Sequence, residues 1–182
     1  MDARLAIWAL TLLLTCLAAA WDWRSRKIPN WLTASGAVAG ITLHSVFDGW
    51  QGARFALAGM GLALALLLPL VYLRALGAGD WKLMGALGAF LGWQLFLIVL
   101  FGSILVAGVM AGAQMIRADR VSETFRNMWT LIKGFATFGM VRNPRISLDN
   151  PGLLKLPFGV AVAAATIACF CAAYWQIWKH AL

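Results

Sequence analysis

Long apolar runs separated by short polar connections dominate the chain. A membrane-spanning helix needs about 20 mostly apolar residues. Six runs approach or reach that length, at residues 4–21, 31–47, 54–73, 82–93, 95–116 and 156–178. The fourth run is short and ends at Gly92-Trp93-Gln94, so residues 82–116 form either two spans or one bent helix. We prefer two spans, and runs of this length favour helices over barrel strands because lipid leaves the backbone to satisfy its own hydrogen bonds.

The composition supports an all-α polytopic membrane protein with about six transmembrane helices in one bundle. Of the 182 residues, 62% are hydrophobic and 12% are charged, whereas a soluble domain is about half apolar and a quarter charged. The mean hydropathy is +0.80. The sequence therefore predicts a single membrane-embedded domain over residues 1–182.

The first twenty residues resemble a signal peptide, with an apolar stretch followed by small residues near Trp21. The charged region that should precede the apolar stretch is weak, because Asp2 and Arg4 cancel. Since the rest of the chain is also rich in spans, we expect this helix to be retained as the first span.

Lysine and arginine predict the orientation of the chain. Twelve of the fifteen lie on the side reached after the first, third and fifth spans, and only Arg4, Arg54 and Lys179 lie on the other side. The positive-inside rule then places the amino terminus outside the cell and Asp22 and Asp80 at the cytoplasmic face of the membrane. The net charge of +8 therefore reflects topology, and no nucleic-acid partner is expected.

The longest connection, residues 117–155, is predicted to be cytoplasmic and to contain an amphipathic interfacial helix. Its apolar residues recur at helical spacing, at Val121, Phe125, Met128, Ile132 and Phe135. This helix either anchors the loop at the inner leaflet or guides a substrate helix towards the site.

Asp22 and Asp80 stand out because they lie at the borders of spans, where ionisable groups are functional candidates. One alternative is that each only marks the membrane boundary, with Asp22 paired to a nearby arginine and Asp80 to Lys82 or Arg74. The small residues around Asp80, including Gly77 and Gly79, favour function instead, because they leave room for a peptide or a water molecule.

Two neighbouring carboxyl groups share a proton, because like charges at close range do not both ionise cheaply. The ionised member then activates water, and the protonated member supports the oxyanion and the departing nitrogen. The dipoles of their own helices favour Asp80 as the base and Asp22 as the acid. His44 and His180 are isolated, and the spacing of the three cysteines matches no zinc or redox motif, so no metal or cofactor is expected.

Three segments resemble bacterial type IV prepilin peptidases. The segment "GAGD" (Gly77–Asp80), followed by "WKL", is similar to the GxGD signature of intramembrane aspartyl proteases. The segment "DWRSRKIPN" (Asp22–Asn30) resembles the aspartate-containing first loop of the prepilin peptidases, and "LPFGVAVA" from Leu156 resembles their entry into the final span. The conjunction of these segments, at this separation, carries the resemblance.

This resemblance implies a GxGD-type aspartic endopeptidase that removes short basic leader peptides from prepilins or pseudopilins at the cytoplasmic face of the bacterial inner membrane. The amino terminus would then face the periplasm. It implies Asp22 and Asp80 as the catalytic pair. The residues that it implies shape the site are Gly77, Gly79, Lys82, Pro29, Asn30, Pro157 and Gly159. Partners would be the prepilin substrates, the lipid bilayer and the pilus-assembly machinery.

The chain departs from the larger prepilin peptidases in lacking paired CxxC motifs before its first span. It thus resembles the compact Tad/Flp-type branch, which implies peptidase activity without methylation or S-adenosylmethionine. Two other functions stay open from the residues alone. The chain could be a small proton-coupled transporter subunit, with carboxylates deep in a pore, or a non-catalytic pilus-assembly scaffold.

Overall fold

The computed structural model describes residues 3–117, residue 129 and residues 157–181, and over this part of the chain all regular structure is helical. The helices are α1 (Ala3–Ser25), α2 (Asn30–Tyr72), α3 (Ala78–Arg117) and α4 (Phe158–Ala181). Each is long and apolar enough to cross a membrane. The prediction of a polytopic helical membrane protein is therefore confirmed.

Helix α2 turns back on itself at Gly49. This residue has φ 58° and ψ −140°, a left-handed conformation that glycine adopts without a steric penalty. Residues eight positions apart in a straight helix are separated by about 12 Å. Here, however, a Cβ atom added to Gly52 would collide with the carbonyl oxygen of His44. The two halves of α2 thus form a helical hairpin.

Helix α3 is interrupted in the same way at Gly92, which has φ 67° and ψ 179°. In a straight helix Gly102 would lie about 33 Å from Asp80. A Cβ atom on Gly102 would instead lie 3.3 Å from Ala165 of α4. Ala165 is only about 9 Å along α4 from Gly159, which lies at the same end of the bundle as Asp80. The second half of α3 therefore returns towards that end.

The six predicted apolar runs consequently appear as four helices rather than six separate elements. The predicted gap at residues 48–53 is helical except at Gly49, and the predicted break at residues 92–94 is confined to Gly92. A chain can reverse at one glycine without a polar loop, and hydropathy does not register such a turn. The described helix α1 also extends past the predicted residue 21, so Asp22 is helical rather than part of a loop.

Glycines allow the hairpin of α2 to pack closely against the first half of α3. A Cβ atom on Gly59 would collide with the carbonyl oxygen of Gly88, and one on Gly88 would lie 2.7 Å from the carbonyl carbon of Gly59. On the other arm of α2, a Cβ atom on Gly40 would lie 3.0 Å from the Phe90 nitrogen. Residues 83–92 of α3 are buried as a result. Small residues let helix backbones approach in this manner.

Helices α1 and α4 pack antiparallel on the remaining side of α3. Trp8, near the start of α1, contacts Phe170 in the second half of α4, with ring centroids 5.5 Å apart. Asp22, near the end of α1, contacts Gly159 at the start of α4. Leu14 and Val162 join the core that centres on α3. This packing brings the end of α1 and the beginnings of α3 and α4 to the same end of the bundle.

His44, which looked isolated in the sequence, has a structural partner. Its Nε2 atom donates to the carbonyl oxygen of Phe90 at 2.9 Å, two residues before the turn at Gly92, and the side chain is buried. The Phe55 ring packs against the imidazole, with centroids 5.3 Å apart. His44 therefore ties one arm of α2 to the turn in α3.

We expect His44→Leu to destabilise the protein by about 1–3 kcal/mol, because it leaves a buried carbonyl without its donor. Thermal unfolding in detergent measures the effect. Asp48→Ala is the control, since the Asp48 carboxylate is exposed and lies 4.0 Å from His44 Nδ1, and exposed pairs contribute little. Equal melting temperatures for the two variants would contradict the role assigned to His44.

The predicted amphipathic helix and most of the connection 117–155 lie outside the described residues. Only Arg117, the last residue of α3, and Trp129 are described there. The role of this connection stays a prediction from the sequence.

Candidate active site

Asp22 lies in the last turn of α1 and is almost fully buried, with 6% of its surface exposed. The helix ends just beyond it because Arg26 adopts a left-handed conformation, with φ 53°, and donates its backbone N–H to the Asp22 carbonyl oxygen at 2.9 Å. Such a residue satisfies a carbonyl group that would otherwise lack a partner at the helix end. This turn holds the Asp22 side chain at the end of the bundle.

The first turn of α4 provides a hydrogen-bond donor to Asp22. The backbone N–H of Gly159 donates to Asp22 Oδ2 at 2.8 Å in a buried contact. A Cβ atom on Gly159 would lie 3.1 Å from Asp22 Cβ and Oδ2, so glycine permits this approach. Pro157 is buried just before α4, and its carbonyl oxygen accepts the N–H of Val160 at 3.2 Å. The amino end of a helix, which attracts negative charge, thus faces Asp22.

Asp80 is the third residue of α3 and is partly buried. Gly77 directly precedes this helix, and its carbonyl oxygen accepts the N–H of Trp81 at 3.0 Å. A Cβ atom on Gly77 would lie 2.9 Å from Asp80 Oδ2, so the absent side chain leaves room for the carboxyl group. Asp80 lies within electrostatic reach of Asp22. The structure therefore brings both predicted aspartates to one end of the bundle.

The connection at residues 26–29 and the start of α2 pack against the beginning of α3. Pro29 is the N-cap residue of α2, and Asn30 is its first helical residue. The Lys82 ammonium group donates to Asn30 Oδ1 at 2.9 Å. A Cβ atom on Gly79 would lie 3.3 Å from Ile28 Cβ, so Gly79 allows the connection to approach α3. Lys82, Asn30 and Gly79 are thus brought together, although none of them has a contact with an aspartate among the described interactions.

Two further residues contribute to this region, and neither was predicted from the sequence to be a site residue. Ile28 is buried against Gly79. Trp81, which follows Asp80 directly, donates its indole N–H to the Leu64 carbonyl oxygen of α2 at 2.9 Å. The sequence shows that Trp81 follows the GxGD segment. It does not show its hydrogen-bond partner, which depends on how α2 folds back.

The glycines near Asp80 have different roles in the structure. Gly77 borders the Asp80 carboxyl group, and Gly79 faces Ile28. Gly85 and Gly88 face Leu64 and Gly59 of α2 instead. Successive residues of a helix are rotated by about 100°, so residues several positions after Asp80 point to other neighbours. The room beside the carboxyl group therefore comes from the turn before α3 rather than from the helix itself.

The fold and the site define a class: the chain is a polytopic helical membrane protein with two carboxyl groups gathered at one end of its bundle. The model of the type IV leader peptidase family matches residues 8–112, which is more than half of the chain. The chain belongs to this family, and it is a peptidase. No curated protein and no solved structure shows a significant match to it.

Proposed function

We propose that the chain removes the leader peptide from Flp-type prepilins or pseudopilins, with Asp22 and Asp80 as its catalytic pair. The observation that supports this most is the convergence of the two carboxyl groups, on α1 and α3, at one end of the bundle. Membership of the leader peptidase family supplies the reaction class. The Flp-type subclass of the substrate comes from the sequence resemblance, and the processing experiment below tests it.

Six membrane crossings account best for the two long helices. Helix α2, with 43 residues, would be about 65 Å long if straight, roughly twice the hydrocarbon thickness of a bilayer. A single crossing by α2 would also separate Asp22 and Asp80 by the whole membrane, whereas the two lie at the same end of the bundle. Two crossings, joined at Gly49, remove both difficulties. The turn at Gly92 supports the same arrangement for α3.

We place the active site at the cytoplasmic face of the bacterial inner membrane. The positively charged residues Arg24, Arg26, Lys27 and Arg74 lie in or beside the two connections next to the aspartates. Such residues are typical of cytoplasmic connections. The amino terminus then faces the periplasm.

In the proposed reaction, the ionised carboxylate takes a proton from water, and the resulting hydroxide oxygen attacks the carbonyl carbon of the peptide bond. The protonated carboxyl group hydrogen-bonds to the oxyanion that develops and then gives its proton to the departing nitrogen as the carbon–nitrogen bond breaks. After one turnover the two carboxyl groups have exchanged their protonation states. Transfer of a proton from one to the other restores the starting state. No covalent intermediate is needed.

We assign the ionised state before the reaction to Asp22 and the protonated state to Asp80. This reverses the order that the dipoles of α1 and α3 predict, because that argument omitted α4. The Gly159 N–H donates to Asp22 Oδ2 at 2.8 Å, and such a bond stabilises the charged form of a carboxylate. Asp80 has no corresponding backbone donor among the hydrogen bonds of the described residues.

The position of the pair also bears on the transporter alternative. A proton relay through the bilayer calls for carboxyl groups near the middle of the membrane. Asp22 lies in the last turn of α1, and Asp80 lies in the first turn of α3. Both positions favour chemistry at one membrane face over transport.

The experiment that tests the function is processing of a Flp-type prepilin by the purified chain in lipid nanodiscs. Mass spectrometry and amino-terminal sequencing of the product give the bond that is cut. We expect one cut, directly after the basic leader. The matched control is the same prepilin with the basic residues of its leader replaced by glutamine, which we expect to be processed more slowly.

Two other outcomes would separate the parts of the proposal. Cleavage of a longer type IV prepilin but not of a Flp-type prepilin would overturn the substrate subclass and leave the peptidase assignment. Failure to cut any prepilin by a folded, inserted protein would support the scaffold alternative.

A further inference from the structure

A lateral groove of about 330 Å³ lies between the two arms of α2 and the first half of α3. Its walls are mainly apolar, with Ala37 on one arm, Met60 and Leu64 on the other, and Trp81 on α3. One end is polar, because Asn30, Thr33 and Lys82 lie there. The groove thus combines an apolar trough with a charged end.

The groove is separate from the proposed catalytic pair. Lys82 follows Asp80 by two residues, which places their side chains about 200° apart around the helix. Asp80 faces Asp22, on the side of α1 and α4, whereas Lys82 faces Asn30 of α2. A molecule in the groove therefore lies on the opposite side of α3 from the two carboxyl groups.

At the polar end of the groove, no acidic side chain among the described residues forms an ion pair with Lys82. The exposed Lys82 ammonium group donates to Asn30 Oδ1, a neutral acceptor, at 2.9 Å. Asp22, at the same end of the bundle, is buried on the other side of α3. Lys27, just before α2, adds positive charge nearby. The complement of this end is an anion.

The lining of the groove suits a hydrocarbon chain. Its apolar walls consist of the side chains of Ala37, Met60 and Leu64 and the ring of Trp81. The helices that form these walls are long and apolar enough to span a membrane, so lipid is the solvent around the groove. An acyl chain in the trough places its headgroup at the polar end.

We propose that this groove binds one acyl chain of an anionic phospholipid, whose phosphate group pairs with Lys82 and accepts a hydrogen bond from the Asn30 side-chain amide. Basic pockets between transmembrane helices at the cytoplasmic side bind such headgroups. The proposal does not depend on the peptidase reaction, because it concerns a different face of α3. It assigns Lys82 to lipid recognition in addition to its contact with α2.

The test uses native mass spectrometry of the full chain, released from nanodiscs of phosphatidylcholine with or without phosphatidylglycerol. We expect one phosphatidylglycerol molecule to remain bound to the unmodified protein. Lys82→Gln removes the charge but keeps a donor for Asn30, and Ala37→Phe fills the groove and keeps the charge. Loss of one lysine–phosphate attraction of about 1 kcal/mol weakens binding about five-fold, and a filled groove should weaken it at least as much.

Matched controls are Lys27→Gln, which removes one surface charge at the same end, and Ala65→Phe, which adds a ring on an exposed α2 position outside the groove. Both should retain the lipid. Equal weakening in Lys27→Gln and Lys82→Gln would overturn the site in favour of diffuse electrostatic attraction. Equal retention of phosphatidylcholine would overturn the selectivity for anionic lipid. Displacement by an uncharged single-span peptide would overturn the assignment of the groove to lipid.

Discussion

Asparagine at either position 22 or position 80 is expected to reduce prepilin cleavage by about 10²–10⁴-fold. Each substitution preserves the shape of the side chain but removes the group that takes or gives a proton. At Asp22 the amide oxygen of asparagine can still accept the Gly159 N–H, so the contact between α1 and α4 at 2.8 Å should survive. Loss of activity would then report on proton transfer rather than on packing.

The measurement is the initial rate of leader removal by purified variants in nanodiscs. Asp48→Asn is the matched control and is expected to keep full activity, because Asp48 is exposed beside the turn at Gly49, at the other end of the bundle. Equal yield in the membrane fraction and equal melting temperatures would show that all variants insert and fold. Processing that persists in both the position 22 and position 80 variants would remove the catalytic assignment.

The long apolar elements could be predicted from the sequence, because twenty-residue apolar stretches have few other stable forms. The turn at Gly92 was also visible, as the short fourth run ends there. One bent helix over residues 82–116 was one of the two forms left open, and α3 takes it. The continuity of α2 was not predicted, since a reversal at Gly49 changes the conformation of one residue and leaves hydropathy unaltered. Hydropathy reports which residues avoid water and carries little information about backbone dihedral angles.

The same holds for the candidate site: the two aspartates could be predicted from the sequence, and the contacts that each of them makes could not. Asp22 and Asp80 could be singled out because a carboxylate at a span border is costly. The Gly159 donor could not be derived, because it depends on α4 packing antiparallel to α1. That contact reversed the proposed order of protonation of the pair. Partners such as Asn30 for Lys82 likewise depend on the rotation of each helix, which the identity of the residues does not determine.

The close packing of α2 on α3 gives the second large effect: Gly59→Ala is expected to lower the melting temperature by about 2–12 °C. The added methyl group would collide with the Gly88 carbonyl oxygen and lie 2.8 Å from Gly92 Cα. Both neighbours are backbone atoms, so no side chain can rotate away, and the helices must separate. Overpacking of this kind costs about 1–3 kcal/mol, and each kcal/mol lowers the melting temperature of a chain this size by about 2–4 °C.

Gly61→Ala is the matched control for this variant, since Gly61 lies two residues further along α2 and a methyl group there meets no atom within 4 Å. Because alanine favours the helix by up to about 1 kcal/mol over glycine, the control should melt at the same temperature as the unmodified protein or slightly higher. Thermal unfolding in one detergent compares the two directly. If both variants melted alike, the contact between Gly59 and Gly88 would not hold the α2 hairpin on α3. The position of Asp80 beside Asp22 would then depend on other contacts, such as the hydrogen bond between Trp81 and Leu64.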